Sequence, residues 1–543
     1  MLSGLYIFKS AAGQSIRISA IFLTGIFIQW SDLYAQKHDS SALLHKIIIS
    51  AEKKPAGFKA PVAEQSLSRE FLENLNTESV GDAAKYFSGV LIKDYGGTGG
   101  LKTISTRSLG AFNTSILYDG ITVADAQTGQ IDLSKFSSTF VQSLQLDQAN
   151  PQQLPLPARA YSSASVLSIF SSAFNTANFS QDKWQMGLKQ GSFGLWHAFA
   201  GLYFPFSGSL VASANLEATE SRGNYPYTVN NGMFSEELRR ANSDLRSFLG
   251  EFNIVKRFDD SSQLQMKCWS YNSERGLPGS TIFFNNNSAQ RLADNDIFFQ
   301  SRFHKKLGIA TELLVSLKFS STITGYRDPD FLNNSGGLND HYYQNEEYTS
   351  LAISHGFGAN FKASIASDFA VTHLNANIQN FATPTRYSFW NNIAAEYAEK
   401  HWQFNASLLN STFVDHAANE TGTINRNQLT PGLAVAYKPA SSGPWLFRAF
   451  YKFIYRLPTF NDLYYTYTTS VNAKLQPENT WQYDVGIVYN NHFNRQLEQL
   501  SLSTDVYYNS VRDKIVSVPS VNLFQWTVLN LGRVSIKGID VAA

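Results

Sequence analysis

Ten histidines, a single cysteine and a glycine-rich loop are the residues from which chemistry could first be built in this chain. His38 and His45 lie near the N-terminus, and His197 and His401 fall in segments of alternating polarity. No HxxxH or CxxC spacing sets two ligands on one face, as a zinc site requires. Asp328 and Asp330, in Arg327-Asp-Pro-Asp-Phe331, could offer oxygens to calcium or simply form a solvated turn. Gly96-Gly97-Thr98-Gly99-Gly100 has the texture of a phosphate-cradling loop, yet no Lys-Ser/Thr follows it and no βαβ unit surrounds it. Cys268 stands close to Met266 and Trp269, an apolar setting that keeps a thiol inert, and it has no partner for an intramolecular disulfide. Neither a Ser-His-Asp elbow nor a defensible pair of strand carboxylates flanking a cleft stands out. The expectation is a protein that is not an enzyme, with no catalytic residues, cofactor or bound metal of its own.

The elements around these residues point elsewhere. A formal net charge of +1 gives no support to a nucleic-acid partner, which needs a concentrated basic face. The 40 Phe and 26 Tyr suit a surface that meets lipid at two interfaces, although a soluble β-rich protein could carry them too. Lys9 and Arg17 lead into the apolar run from Ile18 to Ile28, which reads as a signal peptide (residues 1–35, cut after Ala35) or as a retained anchor. From Asp182 onward, short alternating segments recur between polar loops. Leu210, Ala212, Ala214, Leu216 and Ala218 oppose Ser209, Ser213, Asn215, Glu217 and Thr219. Trp402, Phe404, Ala406 and Leu408 alternate with Gln403, Asn405 and Ser407, and Trp445, Phe447, Ala449, Tyr451, Phe453 and Tyr455 oppose Arg448, Lys452 and Arg456. Roughly sixteen such segments of about ten residues are too many for one sandwich and fit a barrel that is apolar outside and wet inside. Upstream, Ser79-Val-Gly-Asp82 predicts a capped short helix carrying Ala83, Ala84 and Phe87, residues 101–107 alternate as a strand, and Leu117-Tyr-Asp-Gly120 predicts a hairpin turn.

Four passages, Val80-Gly-Asp-Ala-Ala-Lys-Tyr-Phe-Ser-Gly-Val90, Lys93-Asp-Tyr-Gly-Gly-Thr-Gly-Gly-Leu-Lys-Thr-Ile-Ser-Thr-Arg-Ser-Leu-Gly110, Tyr118-Asp-Gly-Ile-Thr-Val123 and Gly129-Gln-Ile-Asp-Leu133, together resemble the plug domain of TonB-dependent outer-membrane receptors, especially the Bacteroidetes-like forms. Arg456-Leu-Pro-Thr-Phe-Asn-Asp-Leu-Tyr-Tyr465, Leu475-Gln-Pro-Glu-Asn-Thr480, Tyr483-Asp-Val-Gly486, Tyr507-Tyr-Asn509, Asp513-Lys-Ile515, Asn530-Leu-Gly-Arg533 and Lys537-Gly-Ile-Asp540 resemble the barrel signature of the same family. The resemblance implies a mostly β protein, a small α+β plug (residues 64–172) inside an antiparallel transmembrane β-barrel (residues 182–543), preceded by an exposed arm (residues 36–63). It implies an outer-membrane location and active import of a scarce small ligand, with metal chelates such as cobalamin or a siderophore favoured over glycans. The partners would be the membrane lipid and the periplasmic coupling protein TonB. Lys46, Ile47, Ile48, Ile49 and Ser50 form a short β-prone run that either pairs with TonB as an added strand or is the first plug strand. Arg107 and Arg159 fall where such plugs carry arginines facing the wall, and Glu478 and Asp540 fall where the barrel carries acidic partners. These four are candidate plug–barrel latches, or ordinary lumenal charges in water.

The family's barrel has 22 strands and usually ends on a strand with a terminal aromatic residue, whereas this sequence stops at Val541-Ala-Ala543. The expectation is a barrel with roughly 16 of 22 strands, truncated at its C-terminus and open at two unpaired edges. A passive porin or adhesin-like barrel is the alternative function, and a secreted β-rich glycan-binding or glycan-cleaving protein the second. The plug and arm argue against the porin, and the missing carboxylate pair argues against the glycan enzyme.

Overall fold

The computed structural model of the chain describes residues 61–151, 153–172, 183–232, 234–258, 262–281, 288–331, 336–418, 423–441, 443–464, 469–470, 474–492, 499–519 and 526–543. Residues 1–35, read above as a signal peptide or an anchor, and the run Lys46–Ser50 lie outside the described residues.

The N-terminal part is built on a five-stranded sheet in the spatial order Glu64–Ser68, Val141–Asp147, Ser165–Ser171, Thr114–Tyr118, Ile121–Val123. Only Thr114–Tyr118 against Ser165–Ser171 is parallel. The helix Val80–Ala84 begins where its cap predicts: Ser79 accepts the Asp82 amide and turns its own hydroxyl to the Asp82 carboxylate. Ala83 and Ala84 are fully buried, while Phe87 is buried just beyond the helix rather than on it. At the turn after Tyr118, Asp119 and Gly120 both take positive φ, as the Asp-Gly hairpin signal requires. A separate hairpin, Val90–Asp94 with Lys102–Thr106, carries the glycine-rich loop at its tip.

Among the described residues sixteen long strands make the wall, from Lys183–Gly191 to Trp526–Ala542, and each long strand runs antiparallel to the next in the chain. Alternation is clearest in the middle strands. In Leu338–Phe357 the side chains of Asp340, Gln344, Glu346, Ser350 and Ser354 are buried, whereas Tyr343, Leu351 and Ile353 are exposed. In Trp445–Arg456 the buried residues include Arg448, Lys452 and Arg456, and Trp445 and Phe447 are exposed. Polar side chains inside and large apolar ones outside invert the order of a water-soluble core, and a wall with a hydrated lumen in lipid demands that inversion.

The strand order is that of a closed barrel, with the last strand coming next to the first, where the sequence predicted an open wall. Among the described residues no register pairs Trp526–Ala542 with Lys183–Gly191. Side chains on both faces of each strand are exposed there: Lys183, Trp184, Gln185 and Met186 on one strand, and Leu531, Arg533 and Val534 on the other.

The plug lies inside this wall and shares its core with it. Leu67, Leu72, Val80, Ala83, Leu144, Leu146, Leu167 and Ile169 are continuous with Trp269, Tyr271 and Phe298 of the wall. Phe136 of the plug stacks on Trp269 at 5.4 Å, and Trp269 stacks on Phe298 at 4.9 Å.

Candidate functional site at the plug–wall interface

Arg107 ends the hairpin strand Lys102–Thr106 with a positive φ of 48°, which turns its side chain out of the plug. Its guanidinium lies 2.7 Å from Asp484 and 2.8 Å from Asp540, above the Tyr507 ring at 4.6 Å. The three wall residues come from three adjacent strands. Asp484 is paired with Tyr507, and Asp540 with Asp505, so a single plug cation engages the wall across two ladders. Arg107 and Asp484 are both essentially inaccessible to water.

Arg159 lies in the one-turn helix Ala158–Tyr161. Its guanidinium meets Glu346 at 3.0 Å and packs over Trp390, while its backbone amide donates to Asp368 at 2.7 Å. Both sequence-derived plug arginines therefore face wall carboxylates, and Asp540 is one of those carboxylates. Glu478 is not. It pairs with Arg456 at 2.9 Å and Lys514 at 3.1 Å and accepts the Ile515 amide, all of them wall residues. Glu478 stands six residues before Asp484 on the same strand, about 20 Å away at the usual rise, out of Arg107's reach. Of the candidate wall acids, Asp540 meets the plug and Glu478 does not; Asp484 is the second carboxylate on Arg107. Arg456 links Glu478 to the plug only indirectly, through its stacking on Phe112 at 4.4 Å.

Several further contacts carry no motif in the sequence. Lys135 of the plug joins Asp294 and Asp296 at 3.1 and 2.8 Å. Burial pushes its pKa down, but Asp296, Asp294 and Asp132 outweigh that and hold it above the ordinary lysine range. In the reverse direction, wall cations reach plug acids: Lys267 meets Asp119 at 2.9 Å, and Arg275 meets Asp132 at 3.1 Å. Tyr118 donates its hydroxyl to Glu251, which also pairs with Lys267 at 2.7 Å. Three wall lysines cap plug carbonyls: Lys318 on Thr122, Lys362 on Leu154, and Lys452 on Ala149 and Ser163. Each belongs to the polar face of an alternating strand, and that face is the signal that could have found it.

The interface can hold a folded plug by charge-assisted contacts that water is able to replace. Such contacts cost much to desolvate but are short-ranged, so a small displacement breaks several at once. Between the plug and the strands Leu195–Ser207, Leu210–Ser221 and Leu245–Arg257 a chamber of about 430 Å³ remains, with Asp82, Lys102, Ser137, His197, Glu217 and Tyr225 among its lining. Asp328 and Asp330 form a turn in which the Asp330 amide donates to Asp328, and among the described residues no group of three His, Cys, Asp or Glu side chains could hold a metal.

No curated protein sequence matches the chain. Its fold is similar to several solved structures at low identity. The copper transporter OprC superposes with a TM-score of 0.71 at 15% identity, covering 89% of this chain and 78% of that one. The FrpB iron transporter from Neisseria meningitidis gives 0.70 at 10% identity, with 88% and 76% covered. The Serratia marcescens hemophore receptor HasR, in complex with its hemophore HasA and heme, gives 0.70 at 11%, with 89% and 79% covered. The family described as TonB-dependent Receptor Plug Domain matches residues 57–154, and the one described as TonB dependent receptor-like, beta-barrel matches residues 226–543. With more than half the chain matched to that barrel and a plug seated within it, this protein belongs to the TonB-dependent receptor family.

Proposed function

We propose that the chain is an outer-membrane importer that takes up a scarce metal chelate, of the siderophore or cobalamin kind, with TonB acting on the N-terminal arm. The observation that carries the reading is the plug's mode of seating. Charge-assisted contacts distributed round the lumen keep it in place at rest and give way to a directed pull. A passive pore has no use for a folded domain filling its lumen. The apolar exposed face of the wall supports residence in lipid, and the names of the similar structures, copper and iron transporters among them, support a metal-bearing cargo. The chain would carry out no covalent chemistry.

The test is uptake of labelled ferric siderophores and cobalamin by cells expressing the chain, with and without TonB. Ile48→Pro should abolish uptake and leave ligand binding intact, because proline removes a donor from an added strand and fixes φ. Uptake that persists without TonB refutes the importer as proposed. Unchanged uptake in the Ile48→Pro variant rejects Lys46–Ser50 as the coupling segment.

A further inference from the structure

Past the wall strand Trp445–Arg456 the chain turns inward and lies on the plug. Thr459 and Asp462 start the short helix Phe460–Tyr464 reciprocally: the Thr459 amide donates to the Asp462 carboxylate at 2.9 Å, and the Asp462 amide donates to the Thr459 hydroxyl at 3.0 Å. A helix start leaves further amides with no partner inside the helix. Here those of Phe460 and Asn461 donate to the plug carbonyls of Ala126 and Gln127, at 2.9 and 3.0 Å. The wall also holds the other edge of that plug loop: the amides of Ala126 and Gln127 both donate to Gln344 Oε1, at 3.1 and 2.9 Å.

What anchors the inward segment is the wall. Phe460, Leu463 and Tyr464 are buried with Tyr342, Leu374, Ile515 and Val528 of four wall strands, and Ala126 is the plug's one contribution to that cluster among the described residues. Arg386 of the wall donates to the Pro458 carbonyl at 3.1 Å and lies over the Phe460 ring at 5.0 Å, with Asp415 fixing its guanidinium. Burial of three large side chains outweighs two hydrogen bonds that water can replace. On that balance the segment parts from the plug before it parts from the wall. The arm joins the plug at a distant level. The Val62 carbonyl accepts from Arg448, which precedes Arg456 by eight residues on the same strand, roughly 27 Å along it. A pull on the arm would draw the plug away from the segment.

We propose that residues 456–464 are a fixed stop mounted on the wall. The plug loop 125–129 docks on it at rest, leaves it when the plug is displaced, and regains its register there on return. The proposal rests on the importer reading, which supplies the displacement. Hydrogen bonds are directional and weaken steeply when bent, so two in succession define a single docked position. The stop sets the depth of the plug, and the charge pairs round the lumen hold it at that depth.

The test is native-state amide exchange of the full chain in detergent micelles, followed residue by residue across rising, sub-denaturing urea. Phe460 and Asn461 should open together with Arg159, whose amide donates from the plug to the wall carboxylate of Asp368, because all three lose their partners when the plug moves. Leu463, whose amide donates to Thr459 within the segment at 3.2 Å, should open only with the wall strand Trp445–Arg456. Arg107→Ala should speed exchange at Phe460 and Asn461 about a hundredfold, the factor expected for the unseated plug, and leave Leu463 within about threefold of the parent. Leu463 opening together with Arg159 would mean that the segment travels with the plug. Leu463 opening before Arg159 would mean that it frays, and Phe460 opening only with the wall would mean that the plug loop never undocks. Each of these overturns the stop. The measurement needs neither TonB nor a cargo, so the expected exchange without uptake would refute the importer alone, and uptake with Leu463 opening alongside Arg159 would refute the stop alone.

Discussion

Replacing Arg107 by alanine removes the cation that two wall carboxylates share. Asp484 is wholly buried and Asp540 is 12% exposed, and both lie within 2.8 Å of the guanidinium. Breaking a buried pair by deleting one partner costs about 3–5 kcal/mol, since the other charge is left uncompensated. Asp540 can recruit some water, so the lower end applies, about 3 kcal/mol. At 1.4 kcal/mol per tenfold, the unseated plug should gain roughly two powers of ten in population. Limited proteolysis of the purified protein in detergent reads that population directly when reseating is faster than cleavage. Sites in the hairpin Val90–Asp94 and Lys102–Thr106 should be cut roughly a hundredfold faster in Arg107→Ala, at unchanged barrel stability. A cycle with Asp484→Asn should show a coupling of about 1–3 kcal/mol, and the same cycle with Glu478→Ala should be additive. Cleavage rates within threefold of the parent, or coupling to Glu478 instead of Asp484, would refute the reasoning.

Two other perturbations probe the seat at different points. Lys452→Met removes the buried ammonium that caps the Ala149 and Ser163 carbonyls; the loss should be about 1–3 kcal/mol, seen as faster amide exchange in residues 149–164 with the sheet strand Thr114–Tyr118 still protected. Gly129→Ala should loosen the contact between the plug and the segment after Arg456. Gly129 has a φ of +71°, and a Cβ there would stand 2.5 Å from the Thr459 methyl and 2.9 Å from the Phe112 ring. Strain and overpacking together should cost about 1–3 kcal/mol, whereas Gly250→Ala, whose nearest neighbours stand at 3.7 Å, should melt as the parent does.

Much of this fold was legible because its two rules are local. Alternation with a period of two placed Arg448, Lys452 and Arg456 in the lumen and Trp445 and Phe447 outside without any knowledge of neighbours. Ser79 and the Asp119-Gly120 turn announced a helix start and a hairpin through groups within four residues of one another. Interface partners are a different kind of fact. Arg107 and Asp540 are separated by 433 positions, and which carboxylate an arginine meets depends on barrel register and on how deep the plug sits. Glu478 and Asp484 lie on the same strand with the same inward face, so local pattern could not choose between them; only their height along the strand does.

That difference in range also explains what the interface can be used for. The ladders of the wall are continuous backbone hydrogen bonds, each reinforced by its neighbours, and they do not yield one strand at a time within lipid. The contacts across the plug surface are separate side-chain pairs at about 3 Å, whose Coulombic gain is largely offset by desolvation and whose groups water can hydrate once it enters. A pull of the kind proposed above would therefore act on the weaker of two kinds of bonding that share one lumen. The chamber lined by His197 and Glu217 lies between part of the plug and the strands Leu195–Ser207 and Leu210–Ser221, so water can reach the plug surface on that side. Release should begin there, at Ser137 on Glu217, and reach the fully buried Arg107–Asp484 pair last.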